Sequence, residues 1–209
     1  MLNCNAVVTS VESGQKLEED NDEERVYITM YKQMIGSLRY ICNSRPDINF
    51  IVGLLSKFMH NPRKSHMLAG KRVLIYIKGT LRYCVFFSYG IKRSKEYVIV
   101  FSDSNWCGDI LDRRSTTCYV FKFQGAPISW ISKKKPIVAL SSCEAEYIAI
   151  CSTTCQAAWI EFVLTKLGVN IQVPIKLIID NKSTIDLAKN FVSHGRSNHI
   201  EIRFHYIRE

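Results

Sequence analysis

No uninterrupted apolar stretch of about 18 or more residues, the length that crosses a bilayer, occurs in the 209-residue chain. Its opening, Met1-Leu2-Asn3-Cys4-Asn5, lacks the basic-then-apolar layout of a secretory signal. These absences predict a soluble, intracellular chain, cytoplasmic or nuclear, that is not secreted and has no membrane partner. Eight cysteines (4, 42, 84, 107, 118, 143, 151 and 155) form no CxxC pair and no Cys/His spacing suited to zinc. Free, mostly buried thiols in a reducing compartment are expected. His194, His199 and His205 lie close together but without ligand spacing, so surface or capping roles are expected.

What is present is an apolar share of 47%, enough to build a core, and a formal charge of +9 that is unevenly spread. Residues 11 to 25 hold seven acids against Lys16 and Arg25, and this opening reads as an acidic flexible linker over residues 1–25, with order beginning near Val26. Residues 61 to 95 hold nine bases and no acid. Arg63, Lys64, Lys71, Arg72 and Lys78 head that set, interleaved with His66, Tyr76 and Tyr83. A phosphate backbone suits such a surface, because each base that replaces a condensed counterion adds salt-sensitive affinity.

Apolar residues recur at three and four from Val26 to Thr80, which predicts three helices. Their borders fall at Asn43-Ser44-Arg45-Pro46-Asp47, at Asn61-Pro62 and at Gly79-Thr80. The period then becomes extended. Cys84–Tyr89, Tyr97–Ser102, Cys118–Phe123 and Pro127–Ile131 are rich in strand formers and predict an antiparallel meander. A long helix from Ser141 to Leu167 follows, with Ser141 or Ser142 as N-cap and Gly168 as stop. Ile175–Ile179 reads as a strand buried on both faces, and two helices, Ser183–Asn190 and Ile200–Glu209, finish the chain. The fold class expected is α/β (α+β), a mixed sheet flanked by helices and preceded by a small helical region.

Three acids stand at telling places: Asp103 ends a strand, Glu146 lies early on the long helix, and Asp180 ends the buried strand. Acids at strand ends can converge at the sheet rim, where oxygen ligands would suit magnesium. Glu144 and Glu146, two apart, lie on nearly opposite sides of a helix, so only one is expected to face inward. Periodicity leaves the choice open.

A set of segments in this order resembles the pol polyprotein of copia-type retrotransposons over nearly the whole chain. They are Tyr31–Tyr40, Ser44-Arg-Pro-Asp-Ile48, Leu74–Thr80, Ser102-Asp-Ser-Asn-Trp-Cys-Gly-Asp109, Arg114–Thr117, Ala139–Tyr147, Asp180-Asn-Lys-Ser183 and His199–Glu209. The resemblance implies a helical reverse transcriptase tail or connection region over 26–95, then an RNase H-like domain over 96–209, truncated at its C-terminus. Domains of that kind cut the RNA strand of an RNA–DNA hybrid using two magnesium ions and four carboxylates. Carried over, Asp103, Glu146 and Asp180 are three of these, catalytic and metal-binding at once. The partner implied is an RNA–DNA hybrid or other nucleic acid, with no small-molecule cofactor. The fourth carboxylate lies past the final Ile-Arg-Glu in the family, and Glu201 is the nearest substitute. The polymerase aspartates lie upstream in the family, so DNA synthesis is not expected, and activity is expected to be weak or absent. The alternative is a non-catalytic nucleic-acid binder or an inert remnant of a decayed element.

Overall fold

The computed structural model describes residues 4–12, 17, 23–87, 97–109 and 112–189. The chain divides into two units, Met1–Val85 and Phe86–Glu209.

In the first unit, helix α1 (Ile28–Ile41) is followed by a 3-10 turn at Pro46–Ile48, α2 (Asn49–Leu55), a second such turn at Ser56–Phe58, and α3 (Lys64–Gly79). Tyr31, Ile35 and Leu38 recur every three or four residues along α1 and are fully buried. They meet Ile51, Val52 and Leu55 of α2 and Met67, Val73 and Tyr76 of α3 in one apolar core. The Tyr31 hydroxyl donates to the Leu55 carbonyl at 2.9 Å inside that core. Pro46 opens its turn at a position where a missing N–H costs nothing. Arg45 there holds Asp47 by two hydrogen bonds, 2.9 and 2.6 Å, and Thr80 at 2.7 Å, while the Tyr76 hydroxyl donates to Asp47. The Ser44-Arg-Pro-Asp-Ile48 motif thus fastens the α1–α2 junction to the end of α3.

The chain's opening does not wait until Val26 to take up structure. Val7, Val11 and Leu17 pack against the same core, and a Cβ placed on Gly79 would meet the Ala6 Cβ. These few apolar residues, scattered among acids, are enough to lay the described part of the opening against α3.

The second unit carries a four-stranded sheet in the order β3-β2-β1-β4. Its elements are β1 (Val98–Asn105), β2 (Thr116–Phe123), β3 (Ala126–Lys134), α4 (Ser142–Lys166), β4 (Lys176–Ile178) and α5 (Lys182–Lys189). The first three strands form an antiparallel meander, and β4 adds in parallel to β1 after the helical crossover. Gln124 and Gly125 close the β2–β3 hairpin, both at positive φ, the conformation that suits the right-handed twist of the strands. The expected α/β class, a mixed sheet with helices compatible with an RNase H-like fold, is what the chain adopts.

Val98 and Val100 of β1 and Phe121 of β2 face Ile160 of α4 and Ile171 in the unit's main core. α4 is long and apolar enough to cross a membrane by length and composition. Its buried face, which includes Ile160, packs on the sheet, and the buried Ser102–Thr153 hydroxyl pair links it to β1 at 3.1 Å.

Three expectations are corrected. Residues 84–87 form no strand, since β-forming side chains make a strand only with a ladder partner, and Phe86 and Phe87 are exposed instead. The strand read as buried on both faces is the short edge strand β4, with Ile178 exposed. A continuous apolar run shows strand character but not which neighbours cover it. The eight cysteines are free, but only Cys42 is buried, while Cys4, Cys84 and Cys155 are exposed. The helix expected at Ile200–Glu209, with His194, His199, Glu201 and His205, lies outside the described residues.

Candidate functional site

β1 and β4 run parallel, so their C-terminal ends emerge at the same edge of the sheet. That edge receives Asp103 near the end of β1 and Asp180 two residues past the end of β4. Asn181 then accepts a hydrogen bond from the Thr184 N–H at 3.1 Å and so caps α5 directly after Asp180. Thr184 is fully buried and its hydroxyl reaches Cys143 at the start of α4.

The long helix begins at the same edge. Ser141 is its N-cap and accepts from the Glu144 N–H at 3.1 Å. The Glu144 side chain reaches back to the Leu140 N–H at 2.7 Å, a reciprocal cap displaced by one residue. This answers the question that periodicity left open: both glutamates are buried, but Glu144 is committed to the helix start. Glu146 turns to the strands, where its Oε1 accepts from the Ser104 backbone N–H at 3.0 Å.

One carboxylate oxygen from each of Asp103, Glu146 and Asp180 lies within 4.8 Å of the other two. Asp103 and Asp180 are exposed and Glu146 is 5% exposed. Burial, and then the nearness of Asp103 and Asp180, pushes the Glu146 carboxyl up to about 7 against the lowering effect of the Ser104 N–H. Its second oxygen, Oε2, is buried without a hydrogen-bond partner. An oxygen-only donor set, crowded in like charge and with one orphaned buried atom, fits a hard divalent cation such as magnesium.

The five basic residues picked out by sequence lie at and along α3, and four of them meet the chain's own opening. The Arg63 guanidinium donates to the Glu23 carbonyl at 3.0 Å, and Lys64 lies 3.5 Å from Glu24. Arg72 lies 4.0 Å from Glu12 and donates to Thr9, while Lys78 donates to the Cys4 carbonyl at 3.2 Å. Lys71 is exposed. Sequence patterning marked these bases as a charged run but could not show that Glu12, Glu23 and Glu24 lie against it.

With this geometry established, known proteins similar to the chain decide its kinship. It is 37% identical over 208 residues, its full length, to the retrovirus-related Pol polyprotein from transposon RE1 of Arabidopsis thaliana. It is 42% identical over 181 residues, 86% of the chain, to that from transposon TNT 1-94 of Nicotiana tabacum. The chain belongs with the retrovirus-related Pol polyproteins of transposons. It spans 14% and 13% of those two Pol polyproteins, so it corresponds to a segment of each. The chain is also 40% identical over 131 residues, 62% of its length, to a protein of Plasmopara viticola named secreted RxLR effector protein 161, 90% of which it covers. No family profile matches this Pol segment, and no solved structure matches it significantly.

Two features of the site lay outside the sequence reading. Ser104 contributes only its backbone, so no residue-type signal marks it. Trp106 stands three residues after Asp103, 46% exposed, and its indole N–H donates to the Ala139 carbonyl at 3.0 Å. An apolar ring at a strand end was the available signal for it.

Proposed function

We propose that the second unit is an RNase H-like nuclease of a copia-type retrotransposon Pol polyprotein, hydrolysing the RNA strand of RNA–DNA hybrids. The observation that carries this reading is the approach of Asp103, Glu146 and Asp180 to within 4.8 Å at one sheet edge. Asp103, Glu146 and Asp180 would hold magnesium, two ions in the full site. When bound, the metal supplies an activated water and charge stabilisation at the leaving oxygen, roles that need no protein nucleophile. The chain's own part is positioning. The Ser104 N–H fixes one oxygen of Glu146 and leaves the other free to serve as a ligand. The α5 cap fixes the backbone after Asp180, and the ladder with β2 fixes Asp103 opposite Cys118. Asp103 and Asp180 are exposed, which leaves these two carboxylates open to a bulky polymer. A hybrid would be recognised by groove shape and 2′-hydroxyls, which needs no base-reading pocket.

The test is cleavage of an end-labelled RNA–DNA hybrid in magnesium by the wild-type chain and by Asp103→Asn and Asp180→Asn. Cleavage of the RNA strand by the wild type, lost in both variants, supports the reading. Equal cleavage by all three, or none by the wild type in magnesium or manganese, overturns it.

A further inference from the structure

The same sheet edge that gathers the carboxylates also receives the start of β2 and the end of β3, because the meander is antiparallel. Lys133 stands opposite Thr117, which stands opposite Ser104, the residue whose N–H holds Glu146. Two strand spacings, about 10 Å, therefore separate Lys133 from the β1 backbone at the acidic site. Lys133 is exposed.

Its neighbour Lys134 does something different. Its ammonium sits 2.6 Å from both Asp109 and Asp112. That double ion pair ties the chain between β1 and β2 to the end of β3 and neutralises its own charge. Arg113 follows directly, exposed, with φ at +54° and its N–H bonded to the Asp109 carbonyl at 3.0 Å. A long β-substituted side chain in the left-handed region is held against a steric cost that glycine or asparagine would not meet. The clamp by Lys134 holds it there.

On the remaining stretch of this edge the Trp106 indole is pinned to Ala139, with Val138 and Leu140 exposed to solvent beside that anchor. A rigid, half-open indole flanked by exposed apolar groups contrasts with the charged surroundings. By comparison, Arg63, Lys64, Arg72 and Lys78 at and along α3 are already engaged by Glu23, Glu24, Glu12 and Cys4, so a polyanion would have to displace intramolecular contacts there.

We infer that the nucleic-acid contact surface of this chain is the sheet edge around the carboxylates: Arg113 and Lys133 take backbone phosphates, and Trp106 packs on a sugar or base face. The identity of the polymer, an RNA–DNA hybrid, rests on the nuclease reading above; the surface itself rests on charge complementarity and register. Phosphate positioning by two separated bases, with an aromatic platform between polymer and protein, is the general division of labour in such interfaces.

The experiment measures binding of a fluorescent RNA–DNA hybrid to the full chain in EDTA, over a series of salt concentrations. The variants are Arg113→Asn, Lys133→Gln, Trp106→Ala and, as comparator, Lys71→Gln with Arg72→Gln. Arg113→Asn tolerates the left-handed backbone, so it keeps the fold while losing the charge. Combining Arg113→Asn with Lys133→Gln should lower affinity about tenfold and reduce the slope of log affinity against log salt by about two. Trp106→Ala should lower affinity about tenfold with the slope unchanged. Wild-type binding that is unaltered by the three edge substitutions, or weakened only by the α3 pair, overturns this inference and leaves the nuclease reading to its cleavage test. Absence of wild-type hybrid binding at low salt overturns both.

Discussion

The backbone N–H of Ser104 donates to Glu146 at 3.0 Å, so the strand that carries Asp103 also grips the carboxylate of the helix. The two acids are therefore held together by a main-chain bond that survives every substitution at Ser104 except proline, which lacks the N–H.

That enforced proximity has a pH signature. Glu146 ionises near 4.5 in the unfolded chain and near 7 when folded, so the folded state binds the extra proton between these values. A raised carboxyl value means stability is full below about pH 4.5 and declines as pH rises through 7, by on the order of 3 kcal/mol. Thermal melting in EDTA from pH 5 to pH 8 should show this decline, and Glu146→Gln should flatten it. A parallel decline in the variant would contradict the assignment.

Divalent ions should offset part of the penalty. At pH 8, magnesium or manganese at about ten times its dissociation constant should stabilise the wild type by about 1.4 kcal/mol. Asp103→Asn should lose that gain while remaining folded. Differential scanning fluorimetry with and without the ion reads both outcomes, and an equal gain in the variant would place the binding elsewhere.

The start of α4 is held by Ser141 and Glu144. Ser141→Ala should cost about 1 kcal/mol, measured by urea unfolding of the full chain. Glu144→Gln should leave divalent-ion binding intact, because Glu144 is a capping residue, whereas Glu146→Gln should weaken it. Calorimetric titration with manganese separates the two glutamates.

In the first unit, Tyr31→Phe removes the hydroxyl that donates to the Leu55 carbonyl. The orphaned acceptor should cost about 1–2 kcal/mol with no change in hybrid binding. Denaturant unfolding followed by the tyrosine and tryptophan signals checks it.

Much of the architecture was legible in the residues. The α1 stripe of Tyr31, Ile35 and Leu38, the meander and the single long crossover helix each carry a period or a cap that local chemistry writes directly. Asp103 and Asp180 were legible as acids at strand ends and Glu146 as an acid early on the long helix, and the parallel pairing of β1 with β4 puts the two strand ends at one edge. What could not be read is whatever depends on a partner distant in sequence. The contacts of Glu12 with Arg72 and of Glu23 with Arg63, and the missing ladder at Phe86, are settled by tertiary neighbours, whereas periodicity left Glu144 against Glu146 open and only the family resemblance chose Glu146. The Lys134 clamp belongs to the same class, since three adjacent lysines look alike until one of them is found between two aspartates.

On the side of the sheet turned away from α4, Phe101 is 41% and Ile178 36% open to solvent, in register on adjacent strands. Handling of the purified material follows from that greasy seam. A polar residue at position 101 should raise the solubility of the separate chain, read as the concentration at which light scattering rises.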